Sequence, residues 1–92
     1  VAGEKLDTGK TRWSLLPWKE TEQLVRVLDF GAKKYSVDNW QQVPNARERY
    51  FDAALRHLVA WKSGEELDPE SGLPHLAHAG CCVLFLLWGP QR

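Results

Sequence analysis

Residues 76–88, LAHAGCCVLFLLW, are apolar on nearly every side of a helix. Such a helix has to be covered all round, which makes it the centre of whatever forms. It falls well short of the ~20 apolar residues that span a bilayer. Pro74 ahead of it and Gly89-Pro90 behind it bound a helix expected over 74–88. The 92 residues of the chain leave room for only a few more elements. These cover one side of the apolar helix, so a second copy of the chain is expected on the other, making a homo-oligomer.

Two further helices follow from spacing. Pro17, with Glu20 and Glu22 in the first turns, opens a segment in which Leu24, Val25, Leu28 and Ala32 form a stripe beside Val27, so a helix is expected over 17–32, weakened at Gly31. It is expected to pack on the next helix. After the turn at 43–45, where Pro44 interrupts, Phe51, Ala54, Leu55, Leu58 and Trp61 fall on helical spacing, and Gly64 stops a helix expected over 46–62. The reading is all-α: one domain over 1–92, a small three-helix bundle behind a polar arm at 1–12. GKT at Gly9 to Thr11 is a poor phosphate loop, because Glu4 stands where G-x-x-x-x-G-K-[ST] needs its first glycine.

Charge narrows the partners. Twelve basic and twelve acidic side chains cancel, which disfavours duplex nucleic acid. The arm has no apolar signal segment, and Cys81 and Cys82 are adjacent inside the apolar helix, which suits neither a disulfide framework nor a spaced metal site. No membrane partner and a reducing, cytoplasmic setting are expected.

Chemistry concentrates between Tyr50 and His78, YFDAALRHLVAWKSGEELDPESGLPHLAH, which holds all three histidines. Asp52, Arg56 and His57 border the apolar stripe. The pairs Glu48/Asp52 and Asp52/Arg56 are each four apart; a helical ion pair is the plain reading for Asp52 and Arg56, whereas phosphate capture is the functional one for Arg56. The turn-forming segment SGEELDPESGLP gathers Glu65, Glu66, Asp68 and Glu70 and delivers His75 and His78 to the first turns of the last helix. With His57 or Asp68, those histidines offer a divalent-metal site; zinc is disfavoured because no cysteine lies at a matching distance. Capping by Asp68 and Ser71, with the histidines bonding backbone or phosphate, is the alternative. Upstream, Lys33 and Lys34 either complement the helix dipole or, with Tyr35, Asn39 and Trp40, hold a phosphorylated aromatic ligand.

The runs KTRWSLLPW, LDFGAKKYSVDNW and YFDAALRHLVAWKSGEELDPESGLPHLAHAGC resemble a phage-associated family named for the N-terminal domain of dATP/dGTP diphosphohydrolases. The likeness covers residues 10–88. It implies a helical, purine-deoxynucleotide-handling protein of the infected bacterial cell, with motif positions at Lys33, Lys34, Tyr35, Asn39, Trp40, Arg56, His57, Glu65, Asp68, Ser71, His75 and His78. MazG-type pyrophosphohydrolases hold magnesium with E-x-x-E on one helix and E-x-x-D on another. Neither motif lies on a helix expected here. Two functions follow. The first is capture of a purine nucleotide or a cyclic nucleotide messenger without cleavage, as in counter-defence, through Lys33, Lys34, Tyr35, Asn39, Trp40, Arg56, His57, Ser71 and His78. The second is dATP/dGTP pyrophosphohydrolysis with Mg or Mn, with Glu65, Asp68 and His75 as candidate catalytic or metal-binding residues.

Overall fold

A computed structural model of the chain describes residues 2–89. Three α-helices, α1 (Trp18–Lys34), α2 (Ala46–Lys62) and α3 (His75–Trp88), lie close to the expected spans, with short 3-10 turns at Trp13–Leu15 and Asn39–Gln42. The described residues form no strand beyond an isolated antiparallel bridge between Leu67 and Pro74. Both prolines act one position earlier than expected: Pro17 and Pro74 are cap residues in extended or near-extended conformation, not first helical residues. Gly31 does not end α1. The helix runs on through Lys34, and the Tyr35 N–H bonds the Gly31 carbonyl at 2.9 Å. Pro90, the second half of the expected breaker, lies outside the described residues.

The helix order in space differs from expectation. α1 packs on α3, not mainly on α2, so α3 lies between the other two. A helix apolar on all sides gains most from two neighbours, and α1 and α2 each offer only one apolar side. The stripe on α1 is accordingly rotated: Val27 is 7% exposed and joins the core, while Val25 is 55% exposed. Val27, Ala77 and Cys81 form the buried cluster, with Leu24, Leu28, Leu73 and Phe85 against it. Gly80 permits the close approach of α1, since a Cβ there would lie 3.3 Å from a Leu24 methyl. The Cys81 thiol donates to the Leu24 carbonyl at 3.3 Å across the same contact.

α2 also turns differently. Its inward face carries Tyr50, Ala54 and His57, so Phe51, Leu55 and Leu58 of the expected core stripe are exposed, as are Leu76, Val83, Leu84 and Leu87 on α3. From residue 2 onward the arm makes one turn, Lys10 N–H to the Asp7 carbonyl at 3.0 Å, and is exposed throughout. The Cα radius of gyration is 16.5 Å, against about 12 Å for a compact chain of this length.

Candidate functional site

Residues 63–74 are a folded connection. The Glu65 N–H reaches the Ala60 carbonyl at 3.0 Å, the Asp68 N–H the Leu73 carbonyl at 2.8 Å, and the His75 N–H the Glu66 carbonyl at 2.9 Å. Gly72, at φ 72°, makes the reversal that a side chain would resist, and its N–H bonds the Asp68 carbonyl at 2.8 Å. Inside this frame the Ser71 N–H donates to Asp68 Oδ2 at 3.0 Å and the Leu73 N–H to Ser71 Oγ at 3.1 Å. The backbone of the acidic segment is therefore pinned beside the first turn of α3, with Asp68 partly buried while Glu65, Glu66 and Glu70 stay exposed.

The three histidines meet there. His57 Nδ1 and His75 Nδ1 are 2.8 Å apart, and His75 Nε2 lies 2.6 Å from Glu65 Oε1. His78 stacks on His57 at 4.6 Å between centroids, with its Nε2 2.7 Å from Ser71 Oγ and 3.7 Å from Asp68 Oδ2. Burial holds the His57 and His78 pKa values below the usual imidazole value, which favours the neutral form of both rings. Burial pushes Asp68 upward, but the Ser71 hydrogen bonds and the nearby histidines outweigh it and leave its pKa lowered. Ligand atoms of His57, Asp68 and His75 all lie within 4.8 Å of one another, a group able to hold a metal ion.

A cavity of about 890 Å³ opens beside this cluster, between the end of α1, the turn at Asn39–Gln42, α2 and the acidic connection. That falls within the size range of small-molecule sites. Lys34, Tyr35, Asn39, Trp40, Arg56, His57, Asp68 and His78 line it, so residues from five separate stretches share one space. Lys33, Glu65, Ser71 and His75 do not line it. Lys33 pairs with Asp29 at 3.0 Å on the exposed side of α1. Lys10 of the GKT arm is also absent from the lining.

The roles differ among the residues brought together. Trp40 is built into the fold: it stacks on Phe85 at 4.5 Å, meets Trp88 edge-on at 5.1 Å, and its carbonyl accepts from Tyr50 Oη at 3.1 Å. Tyr35 is exposed, with Lys34 Nζ 5.2 Å from its ring, and is the freer surface for stacking. Lys34 is held by Glu70 at 2.7 Å, which raises its pKa. Among the described residues no ion pair joins Asp52 to Arg56 or to any other cation; both residues line the cavity. Arg56 is exposed, so its guanidinium stays in contact with solvent and no burial cost attaches to it. Arg49 is the lining cation that the sequence pattern did not single out. Its signal was present, since 49, 52, 53 and 56 repeat along one helical side.

The profile of the family described as "dATP/dGTP diphosphohydrolase, N-terminal" matches residues 1–92. The chain belongs to that family. Among proteins similar to this chain is one from Salmonella phage PMBT28 named "dATP/dGTP diphosphohydrolase", 39% identical over 88 residues, which are 96% of this chain and 30% of the relative. The domain thus spans less than a third of that relative's length. No solved structure matches it. The name given to that relative is that of a hydrolase.

Proposed function

We propose that the cavity binds a purine deoxynucleoside triphosphate and that the domain serves dATP/dGTP diphosphohydrolysis, in which water splits the α–β phosphoanhydride bond to give the deoxynucleoside monophosphate and pyrophosphate. The observation that carries this is the convergence of Lys34, Tyr35, Arg56 and His57 on one cavity, which puts cations for phosphates beside a ring for a base. Arg56 is the phosphate fork, Tyr35 the stacking surface, and Asn39 and His78 the neutral polar lining. Of the candidate catalytic residues, Asp68 alone reaches the cavity; Glu65 and His75 act behind it through His57.

The lining charges bear on the form of the ligand. Asp29, Asp38, Asp52, Asp68 and Glu70 outnumber Lys34, Arg49 and Arg56, so a bare triphosphate meets an unfavourable field. A nucleotide that arrives as its magnesium or manganese complex meets a milder one. That favours the hydrolase reading over capture of a free nucleotide.

Incubation with dGTP, dATP and cyclic oligonucleotides, each with magnesium or manganese, followed by separation of products from protein-bound ligand, tests the proposal. Release of dGMP or dAMP with pyrophosphate is expected. Intact ligand retained mole for mole would replace it with capture, and neither result would remove the nucleotide from the cavity.

We also propose that a second copy covers the exposed apolar side of α2 and α3. The chain exposes 7403 Å², against about 5,400 Å² for a compact monomer of its mass, and Phe51, Leu55, Leu58, Leu84 and Leu87 are among the exposed side chains. Sedimentation at micromolar concentration is expected to show a dimer or larger species; a uniform monomer overturns this.

A further inference from the structure

We infer that His57, Asp68 and His75 bind one first-row transition-metal dication, of the zinc, iron(II) or manganese class, at the wall of the cavity. The three donors come from α2, the 63–74 connection and the start of α3, and their ligand atoms lie within 4.8 Å of one another. Their protonation follows from the partners. Glu65 Oε1, 2.6 Å from His75 Nε2, accepts a hydrogen bond, so Nε2 carries a proton, and in the neutral ring the lone pair of His75 then sits on Nδ1. His75 Nδ1 faces His57 Nδ1 at 2.8 Å. Either one of the two rings donates a proton across this gap, or both lone pairs meet the Asp68 carboxylate at a cation.

Three features favour the cation. A carboxylate holding the remote nitrogen of a buried imidazole is the arrangement that orients metal-bound histidines, and His75 is 4% exposed. Asp68 is oriented in its turn by the Ser71 N–H at 3.0 Å. A histidine–histidine hydrogen bond alone would leave unused the approach of Asp68 to these two rings, since its other partners are the Ser71 N–H and, at 3.7 Å, His78 Nε2. The 2.8 Å gap opens to the ~3.3 Å between two nitrogens of a tetrahedral zinc site by small ring rotations.

Two imidazoles and one carboxylate do not suit magnesium, which prefers oxygen ligands and keeps most of its water. Zinc looked poor for want of spaced cysteines, but the folded chain supplies imidazoles instead. With three protein ligands, further coordination positions stay open, and His57 and Asp68 also line the cavity. The inference stands without the nucleotide reading.

The test uses the 92-residue chain after chelator treatment, titrated with cobalt(II), zinc, manganese or magnesium alone. One cobalt(II) per chain with a d–d spectrum is expected, displaced by zinc but not by millimolar magnesium. His57→Ala and Asp68→Ala are each expected to weaken uptake at least ~10-fold, and Glu65→Ala by about 10- to 100-fold. Lys33→Ala, on the exposed side of α1 and paired there with Asp29, is expected to leave metal uptake unchanged. Should a variant lose its helical circular dichroism, imidazole ¹⁵N spectra of the unaltered chain decide: zinc is expected to shift His57 and His75 Nδ1. Absence of saturable uptake, uptake indifferent to His57→Ala and Asp68→Ala, a thiolate band from Cys81 or Cys82, or unmoved Nδ1 resonances would each overturn the site and leave a Glu65–His75–His57 hydrogen-bonded chain.

Discussion

The two sides of α2 are opposite to what their residues would ordinarily dictate. The side turned to α3 carries Tyr50, Ala54 and His57, small or polar, whereas Phe51, Leu55, Leu58 and Val59 are 52%, 44%, 40% and 64% exposed. Apolar area left in water forgoes about 25 cal/mol per Å², so this orientation has to be compensated elsewhere. On the inner side the return comes from aromatic packing and a bonded histidine cluster. On the outer side it comes from the proposed second copy. A helix that spends its inner side on chemistry is left dependent on a neighbour for its apolar one.

The largest expected effect lies on the inner side. Phe85 packs against both Trp40 and Tyr50, at 4.5 and 4.9 Å between ring centroids, and truncation to Ala is expected to cost about 2–4 kcal/mol in urea unfolding. A loss below about 0.5 kcal/mol would mean that the inner side is not the cohesive one. Arg56, at the border between the sides, comes next. Arg56→Lys keeps the charge but removes the planar fork and is expected to weaken dGTP or dATP binding by about 1–3 kcal/mol in calorimetry. Unchanged affinity would take Arg56 out of the cavity's function. On the outer side, Leu58→Glu is expected to shift the sedimentation pattern towards monomer while changing the unfolding free energy of the dissociated chain by no more than about 0.5 kcal/mol; a retained oligomer would place the contact elsewhere.

The smallest effect concerns the thiols buried between the helices. Burial raises the Cys81 pKa to about 12 and the Cys82 pKa to about 11, so at pH 8 almost no thiolate is present. Iodoacetamide is expected to leave both unmodified in the folded chain and to modify both in guanidinium. The sign for stability follows: the unfolded thiols ionise from about pH 8.5 upward, the folded ones later, so stability falls as pH rises above that value. Fast labelling of the folded chain would show that the α1–α3 contact opens.

Helix positions were legible because prolines, glycines and apolar spacing mark them. Packing was less so. α3 is apolar all round and has no preferred side to read, so nothing in its pattern announced that the small residues Ala77, Ala79, Cys81 and Cys82 would be buried while Leu84 and Leu87 stayed out. The error on α2 has the same origin in reverse: the apolar stripe was visible, but its destination was not. Residue type did point to Lys34, Tyr35, Arg56 and His57, which share one cavity. Lys33 was indistinguishable from Lys34 in sequence. The α-helix separates them by about 100°, turning one to Asp29 and the other to Glu70.

The Lys34–Glu70 pair is a tether between the end of α1 and the acidic connection. On the proposed reading, a phosphate that reached Lys34 would compete with Glu70 for the ammonium, so binding there would partly exchange one anion for another. Added salt would weaken the tether and the phosphate contact alike, leaving nucleotide affinity less sensitive to ionic strength than the number of lining cations implies. A ligand that won this competition would also loosen the connection from α1, coupling occupancy of the cavity to the segment that carries Asp68.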